Sequence, residues 1–215
     1  TLVDGVASKD LDLCVEAGNV VALYGPSGSG KTTLLNLIGA LNRPNAGTIL
    51  MNGQDIVKMG DGKRAKLRRT QIGFIFQTDT LLPTYSAMEN IDLALRLPRL
   101  GIFERRRRAQ AALQAVGLSA WASHVPDELS GGQRQRVSIA RAIALHSSII
   151  LADEPTNGLD TRTARHILTL FRNIAKERGT TLFIVSHDPI VVDFVDHAYD
   201  LVDGRLAVHP IPSRT

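Results

Sequence analysis

Short apolar runs rich in β-branched residues alternate along this chain with stretches whose apolar positions recur every three or four residues, and Gly or Pro punctuates the joins. The runs predict strands at 19–24, 48–52, 71–76, 148–153 and 180–186. Those at 148 and 180 lack alternation, as strands covered on both faces do. Between them Ala164, Ile167, Leu168, Phe171, Ile174 and Ala175 fall on one helical stripe. That order is a strand, helix, strand crossover, the unit of an α/β protein with a mostly parallel central sheet.

Residues 80–127 read differently. They predict helices at 86–97 and 104–116 and no strong strand, with Pro98 and Gly101 between the helices and Pro126 closing the segment. An all-helical insertion is expected there. From Ala198 the chain alternates in strand fashion about a turn at Asp203-Gly204, and residues 210–215 are expected to fray.

The 215 residues correspond to about 1.4 domains of ordinary size. With 44% apolar and 21% charged residues the chain is a packed globule, not a disordered tail. Its longest apolar runs are far too short to cross a bilayer. A single cysteine, Cys14, cannot close an internal disulfide, which fits a reducing compartment, and the cytoplasm is expected. The net charge of +4 and 5% aromatic content give no footing for nucleic acid, and none is expected as a partner.

Gly25, Pro26, Ser27, Gly28, Ser29, Gly30, Lys31 and Thr32 follow the apolar strand ending at Tyr24 and open the helix Lys31-Thr32-Thr33-Leu-Leu. Glycines at 25, 28 and 30 let the backbone wrap an anion, so that consecutive N–H groups and the helix N-terminus face phosphate oxygens. Lys31 would reach the β- and γ-phosphates, and the Thr32 hydroxyl would bind Mg²⁺.

Two acids, Asp153 and Glu154, close the buried run 148–153, at the strand end where ligands sit in open α/β sheets. Asp153 suits a Mg²⁺ held through water, and Glu154 suits a base that orients or deprotonates the water attacking the γ-phosphate. The run ending at Ser186 repeats the design with His187, which can donate to a γ-phosphate or hold that water.

Leu129, Ser130, Gly131, Gly132 and Gln133 run directly into a helical pattern beginning Arg134-Gln-Arg-Val. A serine and two glycines opening a helix offer a hydroxyl, free N–H groups and the positive dipole end to a second anion. Taken alone, the same residues are equally a helix cap.

Together with the phosphate loop, Gln77, the 129–133 pentapeptide, Asp153-Glu154, Asn157-Gly-Leu-Asp160 and His187 occur in the order and spacing of ATP-binding-cassette (ABC) ATPases, which the chain resembles over essentially its whole length. The resemblance implies a P-loop NTPase core at about 1–79 and 128–209, with a small antiparallel β region and a helical subdomain at about 80–127. It also implies a head-to-tail dimer around two ATP, in which Lys31 and Thr32 of one copy and Ser130, Gly131, Gly132 and Gln133 of the other hold one nucleotide. Gln77 would link Mg²⁺ and the attacking water to the helical subdomain, and Asp160 would lie at the dimer interface. The segment around 80–110 would dock a membrane-spanning permease, placing the chain at the cytoplasmic face of the inner or plasma membrane.

Leu67-Arg-Arg and the stretch from Thr80 through Glu89-Asn90 look like the lipoprotein-release, macrolide-export and cell-division branch, although Asn157-Gly-Leu-Asp differs from the Gly-Asn-Leu-Asp often seen there. The family usually stacks adenine on an aromatic ahead of the phosphate loop, yet residues 1–13 contain no Phe, Tyr or Trp. Either a leading strand is missing or the base is held differently. A soluble cassette of the iron–sulfur-assembly kind, not tied to transport, or a mechanotransmission ATPase is the alternative function. Arg105, Arg106, Arg107 and Arg108 open a predicted helix and read as a solvated face, with lipid headgroups or a coupling contact as the other readings.

Overall fold

The computed structural model describes residues 2–3, 6–7, 11–78 and 80–211. A short antiparallel pair, β1 (Leu2–Val3) and β2 (Val6–Ala7), comes first, followed by β3 (Val20–Tyr24) and α1 (Lys31–Ile38). Next are the antiparallel pair β4 (Leu50–Met51) and β5 (Gln54–Asp55), α2 (Asp61–Gln71) and β6 (Ile72–Ile75). Helices α3 (Ala87–Arg96), α4 (Ile102–Ala115) and α5 (Gly131–Ala144) lead to β7 (Ile149–Asp153). The chain ends in α6 (Thr161–Arg178), β8 (Thr181–Val185), β9 (His197–Val202) and β10 (Arg205–Val208).

One six-stranded sheet in the order β10-β9-β3-β8-β7-β6 organises the molecule. β9, β3, β8, β7 and β6 run parallel, and only β10 is antiparallel, at the edge. Its faces are buried under different helices. Ile91 of α3, Leu113 of α4, Ile139 of α5 and Phe171 of α6 pack with Val20, Ala22, Leu182 and Ile184 in one cluster. Leu35 of α1 and Leu67 of α2 pack with Val21, Leu23, Leu151 and Phe183 in the other. Two-sided burial is why β7 and β8 read as continuous apolar runs.

The expected elements hold in their centres and differ at a few ends. Ser86 caps α3 through a reciprocal pair, its hydroxyl accepting from the Glu89 N–H at 3.3 Å while Glu89 accepts from the Ser86 N–H at 2.8 Å. Asp203 and Gly204, both at positive φ (50° and 74°), make the tight turn between β9 and β10 that their sequence signals. Gln71 closes α2 instead of opening a strand. The run 48–52 shortens to Leu50–Met51, which turns back through Asn52 and Gly53 (φ 51° and 75°) to β5. At the C-terminal end, Ile211 packs half-buried against the core instead of fraying, and residues 212–215 lie outside the described residues.

Helix α2 has no apolar stripe, because arginines anchor it. The buried Arg64 guanidinium donates to the carbonyls of Ala40 (2.8 Å) and Asn42 (2.6 Å), and Arg68 also reaches Ala40 O at 2.8 Å. These contacts satisfy carbonyls just beyond the end of α1. Nor are all four arginines at 105–108 simply solvated. Arg105 pairs with Asp92 at 2.7 Å, and Arg107 and Arg108 both pair with Glu104.

Phe171 is fully buried between α6 and the sheet. Phe171→Ala is expected to lower unfolding free energy by about 3–5 kcal/mol, read as a shifted midpoint in urea.

Candidate active site

Parallel pairing aligns Leu23 with Val185, and Val185 with Asp153. The residues that follow these strand ends, Tyr24-Gly25, Ser186-His187 and Glu154, therefore emerge side by side at the carboxyl edge of the sheet. Gly25 (φ 150°), Gly28 (φ 80°) and Gly30 (φ 97°) hold the loop open in conformations that side chains rarely adopt. At Gly25 space forbids a side chain as well, since a Cβ there would sit 2.3 Å from the Leu201 carbonyl oxygen.

Lys31 folds back over this loop, its ammonium donating to the carbonyls of Gly25 (2.8 Å) and Pro26 (2.9 Å). The Ser29 hydroxyl is buried with no hydrogen-bond partner. Thr32 donates from Oγ1 to Asp153 Oδ2 at 2.8 Å, tying the first turn of α1 to the end of β7. Burial raises the Asp153 pKa, and the Thr32 hydrogen bond opposes that rise.

Glu154 is 7% exposed and takes a left-handed backbone (φ 50°), an uncommon conformation for a residue with a side chain. Its N–H donates to Val185 O at 2.8 Å, which fixes that conformation against β8. Three groups hold the carboxylate. Ser186 Oγ (3.2 Å) and the His187 N–H (3.3 Å) donate to Oε2, and His187 Nδ1 lies 2.8 Å from Oε1. The Glu154 carboxylate keeps the His187 pKa above its ordinary value.

A cavity of about 490 Å³ opens between these groups. Gly25, Pro26, Ser27, Gly28, Gly30, Lys31, Thr32, Thr33, Gln77, Asp153, Glu154 and His187 line it, so nearly all of the residues expected on one side of a nucleotide are together. Ser130, Gly131, Gly132 and Gln133 do not line it. They form the start of α5, where Ser130 Oγ accepts from the Gln133 N–H (3.3 Å) and Gln133 Oε1 accepts from the Ser130 N–H (2.7 Å). Asp160 caps α6, accepting from the Thr163 N–H at 3.0 Å and from the Thr163 hydroxyl at 2.6 Å.

Two neighbours were not singled out in the sequence. Ser186 holds the Glu154 carboxylate, and its place directly before His187 at a strand end was the available signal. Tyr24 precedes the loop with its hydroxyl buried and unpartnered and its ring 4.8 Å from that of His209, and burial raises its pKa. Tyr24 sits within a strand-like run, where it reads as core.

A family model described as "ABC transporter" matches residues 8–157. The chain belongs to the ABC transporter ATPase family. A second model, for an AAA domain described as a putative AbiEii toxin of a type IV toxin–antitoxin system, matches residues 123–193, which carry Asp153, Glu154 and His187. An uncharacterized ABC transporter ATP-binding protein, YvrO, of Bacillus subtilis (strain 168) is 46% identical over 93% of this chain and 87% of its own. The lipoprotein-releasing system ATP-binding protein LolD of Chromohalobacter salexigens is 45% identical over 92% of this chain and 83% of its own. Among solved structures, the dimeric ATP-binding cassette MJ0796, in a post-hydrolysis state with ADP and Pi, superposes with a TM-score of 0.88 at 40% identity, covering 93% of this chain and 89% of that one.

The lining of the cavity fits the chemistry of an ABC ATPase. A hydroxyl and a carboxylate in contact, with the Gln77 amide on the same cavity, form a hard oxygen set that fits Mg²⁺, which usually takes one or two protein ligands and completes its shell with phosphate and water.

Gly25→Ala is expected to weaken ATP binding at least about tenfold, read by titration calorimetry, because the loop must move off Leu201. In Glu154→Gln the His187 pKa is expected to fall toward its ordinary 6.5, so the imidazole loses its proton at lower pH than in the parent. A histidine NMR titration reads this, and an unchanged midpoint would show that Glu154 is not its partner.

Proposed function

We propose that this ATPase closes head-to-tail with a second copy around two ATP molecules and drives a separate membrane-spanning permease. The observation that carries the reading is the division of anion sites. The phosphate loop, Asp153, Glu154 and His187 share one cavity, while the Ser130 helix start lies outside it. A two-fold dimer uses each half once per nucleotide and twice per assembly. What supports it further is the dimeric state of the cassette MJ0796.

In this reading the loop N–H groups and Lys31 bind the β- and γ-phosphates, with the ammonium exchanging its contacts to Gly25 and Pro26 for phosphate oxygens. Bound Mg²⁺ would neutralise phosphate charge, held by Thr32, Asp153 and Gln77. Glu154, oriented by Ser186 and His187, takes a proton from the attacking water, whose oxygen bonds to the γ-phosphorus as the bond to ADP breaks. His187 stabilises the transferred phosphoryl group. Ser130, Gly131, Gly132 and Gln133 of the second copy close over the same phosphates, and Asp160 stands at the interface. The core spans about 1–79 and 128–209, with the helical subdomain at about 80–127.

The permease would dock in an apolar groove of about 770 Å³ lined by Phe74, Phe76, Leu82, Leu93 and Leu97. Its wall is tied to the loop after Gln77. Asn90 is buried and bonds to Leu82 N–H (2.8 Å), Leu82 O (3.2 Å) and Tyr85 O (2.8 Å), and Arg141 of α5 donates to Thr80 O at 2.9 Å. A segment seated in the groove would thus press on the stretch that carries Gln77. Among the described residues no helix is long and apolar enough to cross a membrane. The macrolide export protein MacB 1 of Yersinia pestis, 42% identical over 92% of this chain, is named as an ATP-binding/permease protein, and this chain spans 30% of it. The site would then sit at the cytoplasmic face of the membrane.

Glu154→Gln is expected to cut ATP turnover at least about a hundredfold while ATP binding persists and a dimer accumulates, read by phosphate release and light scattering. Unchanged hydrolysis would overturn the assigned base. Co-purification of a membrane-spanning subunit from detergent extract, lost in Leu93→Glu, tests the groove.

A further inference from the structure

We propose that the turn between α3 and α4 is a membrane-surface contact that inserts apolar side chains among anionic lipid headgroups, and this rests on the permease reading above. Three large apolar side chains crowd this turn into solvent. Phe103 is 89% exposed, Ile102 64% and Leu97 54%. Six arginines stand against two carboxylates between residues 92 and 108. Each carboxylate already sits between two of them: Asp92 pairs with Arg96 (2.9 Å) and Arg105 (2.7 Å), and Glu104 pairs with Arg107 (2.8 Å) and Arg108 (2.6 Å). The acids are therefore neutralised and the turn keeps a positive surplus, in which Arg99 and Arg106 are exposed.

Helical spacing places Arg106 beside both apolar residues, four positions after Ile102 and three after Phe103. On the other side of the turn Arg99 takes a left-handed backbone (φ 59°), a place where Gly or Asn costs less. An apolar tip ringed by arginine is the chemistry of an interfacial anchor, in which the apolar groups sink to the acyl boundary and the guanidinium groups meet phosphate. The tip also adjoins the proposed docking groove, because Arg96 and Leu97 line that groove. A groove that receives a membrane-embedded partner faces the bilayer, and the tip next to it faces the headgroups.

Flotation of the full chain with phosphatidylcholine vesicles, with and without phosphatidylglycerol, tests the contact. Binding is expected only with phosphatidylglycerol and is expected to weaken as salt rises. Phe103→Ser should lower the bound fraction about tenfold and Arg106→Glu about fivefold, with basal ATP turnover and circular dichroism unchanged. Arg106 is on the surface, so its replacement keeps the test open should Phe103→Ser fold poorly. Absent binding, equal binding to neutral vesicles, or variants that float like the parent would overturn the proposal, as would dependence on Phe103 seen only with a solubilised permease. Permease capture that is lost in Leu93→Glu, with no vesicle binding by the parent, would overturn this contact and leave the groove standing; vesicle binding with no permease captured by the parent would overturn the groove reading instead.

Discussion

Leu23, Val185 and Asp153 stand side by side across three parallel strands, and that register brings the phosphate loop, Asp153, Glu154 and His187 to one edge of the sheet. A slip of one residue in β7 would turn the acids at its end to the opposite face of the sheet. Two further bonds fix what the register brings near. Thr32 to Asp153 locks the helix start to β7, and Glu154 N–H to Val185 O locks the acid to β8. The strained backbone at Glu154 is tolerated because β7, which it follows, and its bond to β8 determine it.

Lys31, Thr32, Glu154 and Ser130 are already paired inside the chain, whereas the Ser29 hydroxyl is buried without a partner. Lys31 bonds to loop carbonyls, Thr32 to Asp153, Glu154 to His187, and Ser130 to Gln133. Nucleotide would exchange these bonds for others, so its net gain is the difference between two sets and not the sum of new contacts. The groove linked through Asn90 and Arg141 to the loop after Gln77 would bias that difference from a distance, which is the physical content of coupling in a transporter.

The site was legible in the sequence where chemistry needs a particular residue at a particular strand end. Gly25 through Thr32, Asp153-Glu154 and His187 announced themselves because apolar runs led directly into them. Helix α2 was not legible, since arginine-to-carbonyl bonds replace the apolar stripe by which helices are recognised. Asn52-Gly53 was a readable hairpin signal that the strand expectation passed over. The arginine run at 105–108 read as a uniform face, because ion pairs to Asp92 and Glu104 form only once α3 and α4 lie together. The place of Ser186 before His187 marked it as a strand-end residue, but its bond to Glu154, 32 positions away in the chain, needed the fold.

The shared site can be tested by mixing two inactive chains, one carrying Lys31→Ala and the other Gly132→Asp. In a head-to-tail heterodimer both lesions fall in one site and the other site pairs an intact phosphate loop with an intact Ser130 helix start. The expected result is that ATP turnover, absent from either chain alone, returns on mixing and rises with concentration. No recovery in a mixture that forms heterodimers would contradict a site completed by the second copy.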